Sequence, residues 1–184
     1  MKKLTIFVDM DDTIEALTDA WLPRINEKYG YHVTPEEMTS WNMEENFPGL
    51  TNEEIFSVLD DSIWGETAPV PGAREVLEGW VSEGHRVYIV TATPYETLKA
   101  KMDDLLFRWF PFIGWSQVII TSNKQLLKGD VMVDDGLHNL IGGDYLRILV
   151  DTPHNRDVDD EKEGLLRVKN WAEIENIVKE AAAE

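Results

Sequence analysis

Two aspartates, Asp9 and Asp11, directly follow a run of mainly apolar and β-branched residues at positions 4–8. Such a run is typical of a buried strand, and a strand tolerates a carboxylate only where it leaves the hydrophobic core. We therefore expect both aspartates at the carboxyl end of a strand, which is where open α/β sheets bind ligands. Two carboxylates separated by one residue can converge on one hard cation or on one phosphorus atom.

Two alternative roles fit an acidic cluster that follows a strand. Acidic side chains often cap the first turn of a helix, and Asp-x-Asp also opens the calcium loop of an EF-hand. The EF-hand requires Gly at the sixth position and Glu at the twelfth, where this chain has Ile14 and Ala20. The calcium loop is thus excluded, whereas helix capping and catalysis both remain open on these residues alone.

Polar side chains follow three further apolar segments, and each also has an ordinary structural role. They are Thr91, Lys124 and the pair Asp134 and Asp135. A threonine at a strand end often caps the next helix, a lone lysine in a polar loop is usually solvated, and Asp-Gly is a hairpin signal. No second alternating strand follows the Asp-Gly, so we expect an acidic turn and a short helix. Taken together, the four strand ends predict one site for a phosphate group and a divalent cation.

Strands alternate with helices over most of the chain. Apolar runs predict strands at about 4–9, 86–90, 118–120, 131–133 and 147–150, and helical spacing predicts helices after Gly72, over about 96–109, and over 171–182. This alternation predicts an α/β fold with a doubly wound parallel sheet of the Rossmann-like type.

The segment between residue 15 and about residue 71 has a different pattern. Leu17, Trp21 and Ile25 recur at helical spacing, and Thr51 with Glu54 forms a capping box. No β-type alternation interrupts this segment. We therefore predict a small helical cap at 15–71, inserted into a core domain made of 1–14 and 72–184.

Composition limits the domain count, the partners and the location. At 184 residues the chain can hold one full core and a small additional lobe. The formal charge of −18 repels polyanions, so we expect neither nucleic-acid polymers nor membranes as partners. Cysteine is absent, which excludes disulfides and thiolate chemistry. No apolar run is long enough for a signal peptide or a membrane span, so we expect a cytoplasmic protein.

The order Asp-x-Asp, Thr, Lys, Asp-Asp resembles the four motifs of the haloacid-dehalogenase (HAD) superfamily. Within it, the chain resembles the 5′(3′)-deoxyribonucleotidase family, which carries a helical cap after the first motif. The matching segments are Ala68-Pro-Val-Pro-Gly-Ala73, Ile89-Val-Thr91, Thr121-Ser-Asn-Lys124, Val133-Asp-Asp135 and Trp171-Ala-Glu-Ile174. The resemblance covers nearly the whole chain and implies a HAD-like fold and hydrolysis of deoxyribonucleoside monophosphates.

The resemblance also implies roles for the matching residues. Asp9 would be the nucleophile that forms an aspartyl-phosphate, and Asp11 would be the general acid and base. The remaining roles are phosphate binding by Thr91, Ala92 and Lys124, and Mg²⁺ binding by Asp9, the Asp11 carbonyl, Asp134 and Asp135. Similar nucleotidases often carry serine where this chain has Ala92, so Thr93 or a backbone amide would replace that contact.

Charge predicts that a metal ion is obligatory. Three or four carboxylates would face a phosphate dianion, and at about 4 Å each such contact costs on the order of 4 kcal/mol at an effective dielectric near 20. Lys124 offsets only one of these repulsions, whereas Mg²⁺ bridging carboxylate and phosphate offsets several.

Aromatic residues of the cap are candidates for binding the remainder of the substrate. Trp41, Phe47, Phe56 and Trp64 could stack on a base, or they could form the core of the cap. Trp41 is the strongest candidate because its neighbours, Thr39, Ser40 and Asn42, are polar. None of the four histidines follows a strand end with a partner, so we assign them no role.

Two alternatives to nucleotide hydrolysis are considered. The same chemistry could act on another small phosphometabolite, such as a sugar phosphate. The chain could instead be a catalytically silent module that binds phosphometabolites, although an intact set of Asp9, Asp11 and Lys124 argues against silence.

Overall fold

Six parallel strands form a single sheet in the computed structural model, which describes residues 2–183. The strands are β1 (Thr5–Asp9), β2 (Arg86–Thr91), β3 (Val118–Ile120), β4 (Lys128–Asp134), β5 (Asp144–Val150) and β6 (Leu166–Val168). Their order across the sheet is β3-β2-β1-β4-β5-β6. The strand order therefore reverses between β1 and β4, as in a Rossmann-like doubly wound fold, and a ligand crevice is expected at that reversal.

The helices cover the sheet and form the segment inserted after β1. They are α1 (Leu17–Tyr29), α2 (Met43–Asn46), α3 (Asn52–Phe56), α4 (Ile63–Glu66), α5 (Ala73–Ser82), α6 (Tyr95–Ala100), α7 (Phe107–Trp109), α8 (Leu137–Leu140), α9 (Asp160–Glu163) and α10 (Trp171–Ala183). A π-helical segment, Lys101–Leu106, joins α6 to α7. In the part of the chain that the structure describes, no helix is both long enough and apolar enough to span a membrane.

The predicted α/β fold is confirmed, and the observed elements differ from the predicted ones mainly in length. The second, fourth and fifth strands are longer than predicted, because polar residues at their ends join the parallel ladders. Strand β6 at the sheet edge was not predicted, because its three residues are too few to show a period-two pattern of apolar residues. The expected short helix after the Asp-Gly turn is α8, and the capping box of Thr51 and Glu54 begins α3.

Both faces of the sheet are buried, and side chains of β1 alternate between them. Ile6 and Val8 belong to a large hydrophobic cluster, whereas Phe7 belongs to a smaller cluster on the opposite face. The large cluster continues into the inserted segment, where it includes Trp21 and Ile55. The insert thus packs on the same core as the sheet, and the boundaries of the cap domain stay a prediction.

The two connections between the sheet and the insert are hydrogen-bonded to each other. The backbone N–H of Ala16 donates to the carbonyl of Ala68, and that of Val70 donates to the carbonyl of Ile14, both at 2.9 Å. This short pairing holds the insert directly above the carboxyl end of β1.

A glycine sets how closely β1 and β4 approach each other. A Cβ atom added at Gly129 would lie 2.4 Å from Cε2 of Phe7. Phe7 is buried on β1, opposite Met132 of β4, so its ring has little room to move. The spacing of the two strands that carry Asp9 and Asp134 therefore depends on the missing side chain at Gly129.

We expect Gly129→Ala to lower the free energy of unfolding by about 1 to 3 kcal/mol, because the added methyl group overpacks against Phe7. Urea denaturation would measure the change. The matched control is Gly79→Ala in α5, where an added Cβ meets no atom within 4 Å. That change should leave stability unaltered or raise it by up to about 1 kcal/mol. An unchanged midpoint for Gly129→Ala would contradict the packing argument.

Candidate active site

Predicted site residues meet beyond the carboxyl ends of the central strands. Asp9 is the last residue of β1, Thr91 the last of β2, and Asp134 the last of β4. Lys124 begins a short 3₁₀ turn that follows β3. Because β1 and β4 are neighbours at the reversal of strand order, this edge is where the fold itself provides a crevice.

The buried ammonium group of Lys124 joins two of the carboxylates. Its Nζ atom donates to Oδ1 of Asp9 and, at 2.7 Å, to Oδ2 of Asp134. Burial lowers the pKa of Lys124, but the charges of Asp9 and Asp134 raise it by more, so that the pKa lies above its ordinary value. The lysine therefore stays protonated and is not the solvated surface residue that its loop position suggested.

Three carboxylates converge at this point. Oxygen atoms of Asp9, Asp134 and Asp135 lie within 4.8 Å of one another, and all three side chains are buried. Burial and the charge of Asp134 raise the pKa of Asp9 to about 7, and burial with the same neighbour raises the pKa of Asp135 well above its usual range. One lysine leaves this cluster with excess negative charge. An all-oxygen donor set with that excess fits a hard divalent cation.

Asp134 and Asp135 differ in how their oxygens are used. Oδ1 of Asp134 accepts the backbone N–H of Gly136 at 2.8 Å and the amide of Asn139 at 2.9 Å, while Oδ2 accepts from Lys124. Among residues 2–183, the only nitrogen within ion-pair distance of the Asp135 carboxylate is Nε2 of His154, at 3.4 Å. Asp135 thus keeps more oxygen lone pairs available for a cation.

Asp11 lies outside the carboxylate cluster and has partners of its own. Lys101 donates to both of its oxygens, at 2.7 Å for Oδ2, and the buried side chain of Glu15 is a neighbour. Burial raises the pKa of Asp11, but the charge of Lys101 and these hydrogen bonds bring it below its usual range. Burial and the charge of Asp11 raise the pKa of Glu15 well above its usual range.

Sequence reasoning missed Lys101, although a signal was present. Leu98, Lys101 and Leu105 recur at helical spacing, so the lysine occupies a position on the apolar face of its helix. It is 1% exposed. A charged residue at such a position needs a buried partner, and here the partner is Asp11.

The helix-capping role considered for the acidic cluster belongs to Asp12. Its carboxylate accepts the backbone N–H of Thr18 at 2.9 Å and the Thr18 hydroxyl at 2.6 Å, which satisfies the first turn of α1. Asp12 has a φ of +54°, a left-handed conformation that favours glycine. Asp12 therefore ties the loop that carries Asp11 to the first helix of the insert.

A cavity of about 290 Å³ lies between the sheet edge and the insert. Its lining is acidic on the sheet side and largely apolar on the insert side. The sheet side includes Asp9, Asp11, Asp12, Ala92, Ser122, Lys124, Asp135, His138, Asn139 and His154; the insert side includes Leu17, Thr18, Trp21, Met38, Ser40, Trp41, Met43, Phe56 and Leu59. The cavity thus has a charged end and an apolar end.

The four candidate aromatic rings divide into two pairs. Trp41 and Phe56 line the cavity and are 50% and 46% exposed. Phe47 and Trp64 are buried in the large hydrophobic cluster and do not line the cavity. We propose no substrate contact for Phe47 and Trp64, because both side chains are buried and neither lines the cavity.

Two histidines to which the sequence assigned no role, His138 and His154, line the cavity. The Trp41 ring lies 4.5 Å from the ring of His138 and 5.0 Å from that of His154. His138 belongs to α8 and His154 to the turn after β5, so both come from the core domain. Trp41 belongs to the insert, so its contact with these two histidines joins the insert to the core domain at one side of the cavity.

The predicted phosphate binders after β2 do not all face the cavity. Ala92 lines it, whereas Thr91 is fully buried and its hydroxyl lies 2.8 Å from that of Thr93 and 3.4 Å from Nζ of Lys101. Phosphate binding by Thr91 stays a prediction. Ser122 lines the cavity on the next loop and was not among the predicted residues.

Comparisons with known proteins agree with this architecture. The family described as 5′ nucleotidase, deoxy (Pyrimidine), cytosolic type C protein matches residues 2–183. The chain is 34% identical to a 5′(3′)-deoxyribonucleotidase of Bacillus subtilis (strain 168) over 177 residues, which is 95% of this chain and 98% of that protein. It is 29% identical to a 5′(3′)-deoxyribonucleotidase of Clostridium acetobutylicum, over 94% of this chain and 93% of that one.

Solved structures share the fold at low sequence identity. A HAD family hydrolase from Deinococcus radiodurans R1, with bound phosphate and sodium, has a TM-score of 0.65 at 15% identity, covering 96% of this chain and 95% of that one. A putative phosphoglycolate phosphatase from Lactobacillus delbrueckii subsp. bulgaricus has a TM-score of 0.67 at 15% identity, covering 97% and 99%. The HAD-like fold and the predicted family resemblance are confirmed, and the chain belongs to the 5′ nucleotidase, deoxy (Pyrimidine), cytosolic type C family.

Proposed function

We propose that the protein is a magnesium-dependent phosphomonoesterase that removes phosphate from deoxyribonucleoside monophosphates through an aspartyl-phosphate at Asp9. The observation that carries this proposal is the buried cluster of Asp9, Lys124 and Asp134 at the switch point of the sheet. Relatives named 5′(3′)-deoxyribonucleotidase match nearly the whole chain, which supports a nucleotide as substrate. The substrate is thus a small phosphomonoester.

Asp9 supplies the nucleophile. The first step starts with Asp9 ionised and Asp11 protonated. A bond forms between a carboxylate oxygen of Asp9 and phosphorus, the ester P–O bond breaks, and Asp11 gives its proton to the departing oxygen. In the second step Asp11 takes a proton from water as that water attacks phosphorus and releases Asp9. Lys124 places one positive charge beside Asp9 throughout, which offsets part of the negative charge that gathers at phosphorus.

The three clustered carboxylates are the residues that would hold the cation. Asp9 and Asp135 have oxygens available, while Asp134 is occupied by three donors and orients Lys124. When bound, Mg²⁺ would neutralise charge between these carboxylates and the phosphate oxygens. The raised pKa values of Asp9 and Asp135 agree with this assignment, because burial and, after it, the charge of Asp134 disfavour the ionised form of each, and a cation would offset both effects.

The apolar end of the cavity would receive the base. Trp41 is half exposed and its ring rests on two histidines, so it offers a fixed flat surface. Phe56 is held against Trp21 with ring centres 5.6 Å apart and planes nearly parallel. Aromatic surfaces of this kind suit a nucleobase better than a sugar, which has few apolar faces.

Asp9→Asn should abolish turnover while the protein stays folded. The change keeps the shape of the side chain but removes the nucleophile. Because the pKa of Asp9 is raised to about 7, its ionisation opposes folding at neutral pH, so the melting temperature should be unchanged or higher. Phosphate release and thermal denaturation check both parts. Activity above a few per cent of wild type would contradict the role of Asp9.

Removal of divalent cations should abolish activity, and Mg²⁺ should restore it. We expect Asp135→Asn to raise the Mg²⁺ concentration needed for half activation more than Asp134→Asn does, because Asp135 has the free oxygens. Asp134→Asn should act mainly on kcat, since it releases Lys124. Titration of phosphate release against Mg²⁺ after EDTA treatment separates the two effects. Full activity of the wild type in EDTA would contradict the charge argument.

Trp41→Ala should lower kcat/KM for a deoxyribonucleotide by about 5- to 150-fold, the equivalent of about 1 to 3 kcal/mol for a lost stacking contact. Hydrolysis of para-nitrophenyl phosphate, which has no base, should change little. Trp115→Ala is the matched control, because Trp115 is 59% exposed and does not line this cavity. Equal losses on both substrates with a lower melting temperature would show that Trp41 serves only to pack the cap. A wild type that prefers a sugar phosphate would contradict the nucleotide proposal.

A further inference from the structure

Lys101 stands where three parts of the molecule meet. Its ammonium group contacts the Asp11 carboxylate, the Thr91 hydroxyl at the end of β2 and, at 5.0 Å, the ring of Trp64 from the insert. The residue begins a π-helical segment between α6 and α7. Such segments are rare and are frequent at functional sites, because the wider turn redirects a side chain.

Asp11 depends on this lysine for its orientation. Within residues 2–183, the ion pair with Lys101 is the only one that Asp11 forms at salt-bridge distance. Asp11 also neighbours Glu15, which is fully buried and receives no hydrogen bond from any described donor. The ammonium group of Lys101 binds both oxygens of Asp11.

The two buried lysines of the site have different positions relative to the cavity. Lys124 lines the cavity beside Asp9, whereas Lys101 does not line it. Asp11 does line it, and its carboxylate is bound by Lys101. Lys101 is therefore connected to the cavity through its contact with Asp11.

We propose that Lys101 is a positioning residue that aims the Asp11 carboxyl group at the oxygen of the leaving alcohol. This inference rests on the proposed function, in which the ester P–O bond breaks as Asp11 gives its proton to that oxygen. Lys101 neither gains nor loses a bond in the step. It fixes the direction from which the proton arrives, and a misplaced acid of this kind loses much of its effect.

Substrates with different leaving groups can distinguish positioning of Asp11 from a merely structural role of Lys101. A nucleoside alkoxide needs a proton as it leaves, whereas nitrophenolate is stable without one. The ratio kcat/KM covers only the steps up to formation of the phosphoenzyme, so water activation in the second step does not affect it. We expect Lys101→Met to lower kcat/KM for a deoxyribonucleoside 5′-monophosphate by about 10- to 100-fold, and for para-nitrophenyl phosphate by less than about threefold.

Three controls accompany this comparison. Lys99→Met removes the same charge from an exposed position on the same helix, where Lys99 pairs with Asp103, and should change neither value. Lys101→Arg keeps a cation that can reach both Asp11 oxygens and should restore most of the lost activity. In an Asp11→Asn background, Lys101→Met should have no further effect, because the two residues act as one unit.

Several results would overturn the inference. Equal losses on both substrates would mean that Lys101 acts on the phosphate itself, and an unchanged or higher kcat/KM for the nucleotide would mean that orientation is not its role. An additive loss in the Asp11→Asn background would contradict action through Asp11. Lys101→Met leaves the charge of Asp11 buried without its partner and could fail to fold. In that case two variants still allow the two substrates to be compared. They are Lys101→Arg and the double variant Asp11→Asn/Lys101→Met, which removes both charges.

Failure of the proposed function gives a different result. A wild type that hydrolyses some other alkyl phosphate, and no nucleotide, contradicts the nucleotide proposal, and the same ratio measured on that alkyl phosphate still tests Lys101. A wild type that hydrolyses neither an alkyl phosphate nor para-nitrophenyl phosphate overturns both.

Discussion

The concentration of negative charge at one edge of the sheet is the constraint on which the rest of the site depends. A parallel sheet brings the carboxyl ends of β1 and β4 together, and each of these strands ends in a buried aspartate. Burial of like charges is unfavourable unless a cation lies between them. Lys124 occupies that place, so the fold and the phosphate chemistry rest on the same interaction.

Charge at this edge is divided between two lysines that come from different loops. Lys124 serves Asp9 and Asp134, and Lys101 serves Asp11. The division keeps Asp9, the proposed nucleophile, and Asp11, the proposed acid, in separate electrostatic surroundings. The pKa of Asp9 is raised and that of Asp11 is lowered, although the two residues are only two positions apart. Environment, and not residue type, thus separates the two pKa values, whereas the proposed reaction needs Asp9 ionised and Asp11 protonated.

The inserted segment completes the site by packing on the core and by contacting it at several points. Its aromatic residues join the hydrophobic cluster of the sheet, while Trp41 reaches His138 and His154 on the core side. Asp12 links the catalytic loop to the first helix of the insert. A change in the position of the insert would therefore alter both the apolar end of the cavity and the position of the loop that carries Asp11.

The sequence by itself was sufficient for the fold class and for the residues at the strand ends. Asp9, Lys124 and the Asp134–Asp135 pair follow short apolar runs, and a transition from apolar to polar residues is a local signal that needs no knowledge of packing. Parallel topology then requires those ends to lie together. Because the motifs are local in this sense, the residues that carry the family resemblance can be identified from their order along the chain.

Tertiary structure alone decided which distant side chains complete the site. Lys101 lies 90 residues from Asp11, and its contact depends on how a π-helical segment packs against the catalytic loop. The exposure of Trp41 and the burial of Phe47 could not be predicted either, because both flank a helix of only four residues and have no periodic pattern to assign them a face. The local pattern of apolar and polar residues determines where a strand ends. Only tertiary packing determines which distant side chains contact the residues at that end.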